Sequence, residues 1–227
     1  MKISSRTILA AALLTALSMG GAMACTTDQW DDATANAQAG NPKGRDSEPA
    51  VPRYSGTCGL KADTAGTSYV TDNSPDNEAV YRARFYVFTG SASGNPKIFS
   101  ATSDDNGGGT EAFSIALTGT NLGFSVNGTT VAGTHAVVAN KWYGVEVLYR
   151  AGGAFSAKVR GNNAATESTY TSAGDAGAVN VGSAQLGVLN AATNTTSLAF
   201  DAFVSTRAED TEIGRLCPGD ANGDKIV

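Results

Sequence analysis

The sequence predicts an all-β chain in which two antiparallel sheets pack face to face, and three observations carry that expectation. Short runs alternate apolar and polar residues with a period of two, the pattern of strands that turn one face to a core. Between these runs stand Gly-, Asn- and Asp-rich turns, in a chain of 227 residues with 27 glycines. No segment sustains a helical period, and no repeat recurs at a fixed spacing.

The clearest strand is Asn140-Lys-Trp-Tyr-Gly-Val-Glu-Val-Leu-Tyr-Arg150. Tyr143, Val145, Val147 and Tyr149 share one face, while Trp142, Gly144, Glu146, Leu148 and Arg150 share the other. This spacing predicts a half-buried strand with Glu146 turned to solvent.

The first 24 residues read as a signal peptide. Lys2 and Arg6 supply positive charge, residues 8–17 an apolar run, and Ala22-Met23-Ala24 a small-x-small cleavage site. The run falls short of the ~20 residues that span a bilayer. The expected mature protein begins at Cys25, is secreted to the cell exterior or periplasm, and has no transmembrane segment. Losing Lys2 and Arg6 from 16 basic residues against 21 acidic ones takes the net charge from −5 to about −7. Such a balance disfavours nucleic acid and anionic membranes as partners, since both are held by Lys and Arg.

Residues 25–60 form a polar, turn-rich lead-in packed on the body, with Trp30 as a candidate anchor. The body proper is expected over 61–210. Residues 67–71 read as a short strand and 79–88 as a strong one, with Tyr81, Ala83, Phe85 and Val87 inward and Arg82 and Arg84 outward, solvated or paired. Residues 97–102 form a further strand, and Asp104-Asp105-Asn106 opens a glycine-rich loop. Phe113, Ile115 and Leu117 then alternate, as do Leu122, Phe124 and Val126, across a linker short enough for a hairpin. Asn127-Gly128 is the strongest tight-turn dipeptide. Phe155, Ala157 and Val159 make another strand, residues 161–178 are polar and poor in large apolar side chains, and 179–189 and 198–207 close the domain. This number of strands favours a jelly roll over a minimal immunoglobulin-type sandwich.

The pieces Tyr81-Arg-Ala-Arg-Phe-Tyr86, Phe124-Ser-Val-Asn-Gly128, Lys141-Trp-Tyr-Gly-Val145 and Phe200-Asp-Ala-Phe-Val-Ser-Thr-Arg207 stand in an order that resembles the concanavalin A-like lectin/glucanase superfamily, in particular its laminin G-like branch. The resemblance covers roughly residues 69–207. It implies a jelly-roll sandwich that binds carbohydrate on one sheet face, or cleaves polysaccharide there. The glucanase branch sets Glu-x-Asp-x-x-Glu on one strand, which places acid and nucleophile together. That run is missing here, and Glu209-Asp210-Thr211-Glu212 has the wrong spacing. The single histidine, His135, matches neither the lyase branch's motif nor a nucleophile elbow.

Residues 211–227 form a tail ending Cys217-Pro-Gly-Asp-Ala-Asn-Gly-Asp-Lys-Ile-Val227. Asp220, Asn222 and Asp224 occupy positions one, three and five of a calcium loop, where side-chain oxygens converge on a hard cation. The motif resembles the opening of a type I dockerin repeat, which implies Ca2+ and a scaffold-protein partner. Lys225 stands where the loop needs Gly, and ligands nine and twelve are missing. Asp104, Asp105 and Asn106 are a second oxygen-rich candidate for calcium, read first as a simple turn.

Export favours a disulfide among Cys25, Cys58 and Cys217. Cys25 with Cys58 would staple the lead-in to the body. The alternative is a lipoprotein anchored through Cys25, with Cys58 paired to Cys217, although Ala22 stands where such signals favour a larger aliphatic residue. The functional expectation is a non-catalytic module that binds a polysaccharide, glycan or other extracellular partner, with Trp30, Tyr54 or Tyr170 available to stack on sugar. Two alternatives stand beside it: a polysaccharide hydrolase or lyase using Glu78, Glu111 or Glu146, and a structural protein of the cell surface or matrix.

Overall fold

The computed structural model describes residues 26–34, 37–40, 53–56, 58–63, 66–91, 94–161, 167–173, 177–190, 198–208 and 211–216. The expected signal peptide, Cys25, Cys217, Asp220, Asn222 and Asp224 lie outside them.

In chain order the strands are β1 (Asp32–Ala33), β2 (Ala37–Gly40), β3 (Gly59–Ala62), β4 (Ser68–Asp72), β5 (Val80–Phe88), β6 (Lys97–Thr102), β7 (Glu111–Thr118) and β8 (Asn121–Val126). They continue with β9 (Thr129–Thr130), β10 (His135–Ala136), β11 (Trp142–Arg150), β12 (Ser156–Gly161), β13 (Ser168–Thr171), β14 (Ser183–Val188) and β15 (Leu198–Thr206). Among the described residues one sheet runs β1-β4-β14-β6-β7-β8-β10, with β9 also on β8, and the other runs β13-β12-β11-β5-β15-β3-β2. Every pairing is antiparallel. The protein is therefore an all-β sandwich of two antiparallel sheets, as the alternation predicts.

Alternation along β5 and β11 builds the core as the spacing predicts. Tyr81, Ala83, Phe85 and Val87 face inward beside Tyr143, Val145, Val147 and Tyr149, and all eight join one apolar cluster. Aromatic contacts tie the sheets across it. Phe85 stacks on Phe99 of β6 at 5.3 Å, and Tyr149 stacks on Phe113 of β7 at 5.4 Å. The Tyr149 hydroxyl donates to the Val179 carbonyl at 2.6 Å, so that buried tyrosine is satisfied.

Three expectations change in detail. The lead-in is not wholly irregular: β1 pairs with β4 and β2 with β3, so it adds a strand to the edge of each sheet. Trp30 does anchor it, against Phe203 at 5.1 Å. The polar stretch after β12 contains β13, which extends the sheet because Tyr170 stacks on Phe124 at 5.2 Å. Finally, β11 is buried on both faces rather than one, with Glu146 only 8% exposed. The reason lies in what covers the outer face.

Candidate functional site

Register on the outer face of the second sheet sets side chains in rows. Arg82, Arg84, Tyr86 and Phe88 of β5 lie opposite Leu148, Glu146, Gly144 and Trp142 of β11. On the other side β15 places Asp201 beside Tyr86, after which a bulge between Asp201 and Val204 bends the strand. Ala202 in that bulge has φ +50°, a left-handed conformation uncommon for a residue with a Cβ.

A strap of residues 211–216 crosses these rows and is held by hydrogen bonds. Glu146 Oε1 accepts from Arg82 Nη1 at 2.8 Å and from the Ile213 N–H at 3.0 Å, and Oε2 accepts from the Gly214 N–H at 2.8 Å. Arg84 donates through Nη1 to the Gly214 carbonyl at 2.9 Å and through Nη2 to the Ala202 carbonyl at 3.2 Å. The Leu216 N–H donates to the Tyr86 hydroxyl at 2.9 Å. The two arginines, expected outward, are thus buried and paired, each 5% exposed. Burial without partners would be costly for either charge; Glu146 and the Ala208 carbonyl serve Arg82, and the carbonyls of Gly214 in the strap and Ala202 in β15 serve Arg84.

A second segment, residues 53–56, lies beside the strap. Asp201 Oδ2 accepts from the Tyr54 and Ser55 N–H groups at 2.6 and 2.8 Å, which fixes the Tyr54 ring on Tyr86 at 3.7 Å in a stack. Burial pushes the Asp201 carboxyl above its ordinary value, against the pull of these N–H donors. Gly144 makes room for the pair: a Cβ there would stand 3.0 Å from Tyr86 Cε1. Burial also pushes the Tyr86 phenol up to about 12, so it stays protonated. Tyr86, Trp142, Ala199 and Leu216 close a small apolar cluster over the sheet.

Between the strap and β12 opens a cavity of about 100 Å³, lined in part by Tyr54, Arg84, Tyr86, Glu146, Lys158 and Arg160. Lys158 pairs with Glu212 of the strap and with Glu167 at 3.5 Å, and Arg160 Nη2 meets Glu167 Oε2 at 2.8 Å. The hydrogen bond with Glu212 raises the Lys158 pKa, and the same bond lowers that of Glu212. The cavity can therefore offer fixed donors and aromatic surface, while its carboxylates are committed as acceptors.

The structure brings few of the sequence candidates together. Glu111 sits on β7 of the other sheet, bound to Lys97, Ser100 and Ser114, and Glu78 faces Arg207 at 3.5 Å. Neither shares a site with Glu146. His135 Nδ1 lies 3.2 Å from the Tyr170 hydroxyl, and burial holds its pKa below the ordinary value. Of the candidate sugar-stacking rings only Tyr54 lines the cavity, since Trp30 packs on Phe203 and Tyr170 on Phe124. Asp104, Asp105 and Asn106 form a turn with a short 3-10 segment, pinned by paired hydrogen bonds between Asn106 and Asn73. Cys58 is disulfide-bonded, and both possible partners lie outside the described residues. Sequence reading missed Lys158 and Arg160. Their signal was the polar half of the alternation in β12, which gains meaning only when β12 is placed beside β11.

No protein-family model matches the chain, and no curated protein matches it. Solved structures do. A mutant of HCR/D aligns with TM-score 0.50 at 14% identity over 79% of this chain, which spans 44% of that one. A protein of unknown function from Shewanella oneidensis MR-1 aligns with TM-score 0.47 at 16% identity, over 78% of this chain and 80% of its own. An endo-β-1,4-glucuronan lyase from the fungus Trichoderma reesei aligns with TM-score 0.44 at 15% identity, over 79% and 91%. At 14% identity the likeness to HCR/D is one of fold, the two-sheet antiparallel sandwich described above.

Proposed function

We propose that the mature chain is an exported, non-catalytic β-sandwich module that binds carbohydrate on the outer face of the second sheet. The observation that carries this reading is the cavity beside the strap, where the Tyr54–Tyr86 stack meets Arg84, Lys158 and Arg160. Aromatic surface bordered by oriented donors is what a sugar's apolar face and hydroxyls require. The non-catalytic part rests on Glu146, a lining residue whose two oxygens are already engaged by Arg82 and the strap N–H groups.

Affinity electrophoresis of the mature chain through a panel of neutral and acidic polysaccharides tests the reading. Retention by at least one polymer, weakened by Tyr54→Ala, is the expected result; free migration through all of them would overturn it. Reducing ends or unsaturated products in the same incubations would overturn the non-catalytic part.

Two features extend the proposal. The tail bearing Asp220, Asn222 and Asp224 is offered as a calcium-binding segment that would engage a scaffold protein. Terbium luminescence on the full chain, competed by Ca2+, checks it. For the disulfide, a peptide map without reduction separates Cys25–Cys58 from Cys58–Cys217. The packing of Leu216 in the cluster that Tyr54 adjoins supports the second.

A further inference from the structure

Cys58 is disulfide-bonded, and the course of the strap bears on its partner. Residues 212–216 pass over the strands of the second sheet one after another. Glu212 meets Lys158 on β12, the Ile213 and Gly214 N–H groups meet Glu146 on β11, and the Gly214 carbonyl meets Arg84 on β5. Leu216 then joins Tyr86 of β5 and Ala199 of β15 in one apolar cluster. Three inter-strand steps of ~4.8 Å, about 14 Å in all, are covered by roughly four residues of ~3.5 Å each, so the strap runs nearly extended. The next strand in the sheet is β3. Its pairing with β15, Ala199 to Lys61 and Phe200 to Leu60, carries Gly59 to Asp201, which itself lies beside Tyr86. One more extended residue after Leu216 spans the step toward β3, the strand that Cys58 immediately precedes. The segment 53–56 converges on the same place, since Asp201 holds the Tyr54 and Ser55 N–H groups. Cys25, by contrast, leads into a segment whose backbone bonds go to Tyr69 and Thr71 of β4 in the other sheet.

The strap also gains from a covalent anchor. Only Leu216 is buried in it; Ile213 and Gly214 are half-buried and the other three residues are exposed. Its remaining holds are hydrogen bonds and an ion pair that water can replace, set against the entropy of ordering an extended segment. β15 ends at Thr206 and secures one side, and a segment secured on one side frays. A cross-link beyond Leu216 removes that freedom.

We propose that Cys58 pairs with Cys217 and that the bond is a redox latch, which when closed clamps the strap over the outer face and completes the cavity, and when open frees the strap. Closure is a thiol–disulfide exchange with a small-molecule disulfide. One cysteine thiolate attacks that disulfide and releases one thiol; the second cysteine thiolate attacks the mixed disulfide and releases the other. The two cysteines are oxidised, the reagent is reduced to two thiols, and the cysteine protons pass to them. The cavity is therefore assembled in an oxidising compartment, the kind that export reaches. That the latch governs glycan binding rests on the carbohydrate reading, whereas the latch itself rests on the strap.

The test compares the mature chain as purified, after dithiothreitol, and after reoxidation with oxidised glutathione. Its unreduced peptide map is expected to join Cys58 to Cys217. Amide exchange at Ile213, Gly214 and Leu216 should quicken roughly tenfold or more on reduction and in Cys217→Ser, and stay slow in Cys25→Ser and at the buried Ile115 of β7. Affinity for a polysaccharide that retains the oxidised chain should fall roughly tenfold on reduction and return on reoxidation. A Cys25–Cys58 peptide, strap amides equally slow after reduction, or protection lost in β7 as much as in the strap overturns the latch. Unchanged retention while the strap amides open overturns its control of binding. Absence of retention in every state overturns the carbohydrate reading instead, and exchange at the strap then decides the latch alone.

Discussion

Asp201 holds more of the site than its side chain's size suggests. One carboxylate oxygen takes the Tyr54 and Ser55 N–H groups and the other takes that of Ala202 at 2.6 Å, inside the bulge. Asp201→Asn replaces an acceptor with a donor, and a cost of about 1.5–3 kcal/mol is expected from losing bonds to a charged group. Amide hydrogen exchange at Tyr54 and Ser55 should quicken in that variant, while exchange in β7 stays unchanged. His135 supports a pH prediction. Burial holds its folded pKa below the ordinary ~6.5, so the unfolded chain takes the proton first as the pH falls. Its contribution is whole above about pH 6.5 and is lost as the pH drops toward the folded value. Denaturation midpoints at pH 7.5 and 5.5 should differ in the native chain, and His135→Asn should narrow the difference. At this scale the sequence revealed Asp201 as a polar residue of the closing strand and His135 as the single histidine, but not that each faces a specific partner 30 or more positions away.

Among the elements, the strap depends on β11 through one side chain. Glu146→Ala removes the partner of a buried arginine and the acceptors of two strap N–H groups, and breaking such a pair costs about 3–5 kcal/mol. The denaturant midpoint should fall accordingly, and the Ile213 and Gly214 amides should lose protection. Gly144 offers a milder test. A methyl group there presses on the Tyr86 ring, so Gly144→Ala should cost about 1–3 kcal/mol and loosen the Tyr54 stack, read as a change in Trp142 fluorescence. β11 itself was legible, because its inward residues repeat at the strand period over its full length. The short pairs β1, β2 and β13 were not, since two to four residues at an edge carry too little pattern to stand above a loop.

Across the whole molecule, the stacked rings join the sheets into one core. Phe85 lies against Phe99 and, at 6.4 Å, against Phe200, so it touches both sheets. Phe85→Ala should cost about 3–5 kcal/mol, with near-ultraviolet circular dichroism of the aromatic core and far-ultraviolet strand signal lost together on heating. The sequence by itself determined the all-β class, the inward faces of β5, β7, β8 and β11, and the candidate anchor at Trp30, because period-two burial is written locally in each strand. Only the tertiary structure decided the site. Its parts come from residues 53–56, β5, β11, β12, β15 and 211–216, segments far apart in the chain whose polar side chains look solvated until another segment covers them. A polar residue on an outward face reads the same whether water or a strap lies over it. The cover that buried Glu146 is a property of the folded chain alone.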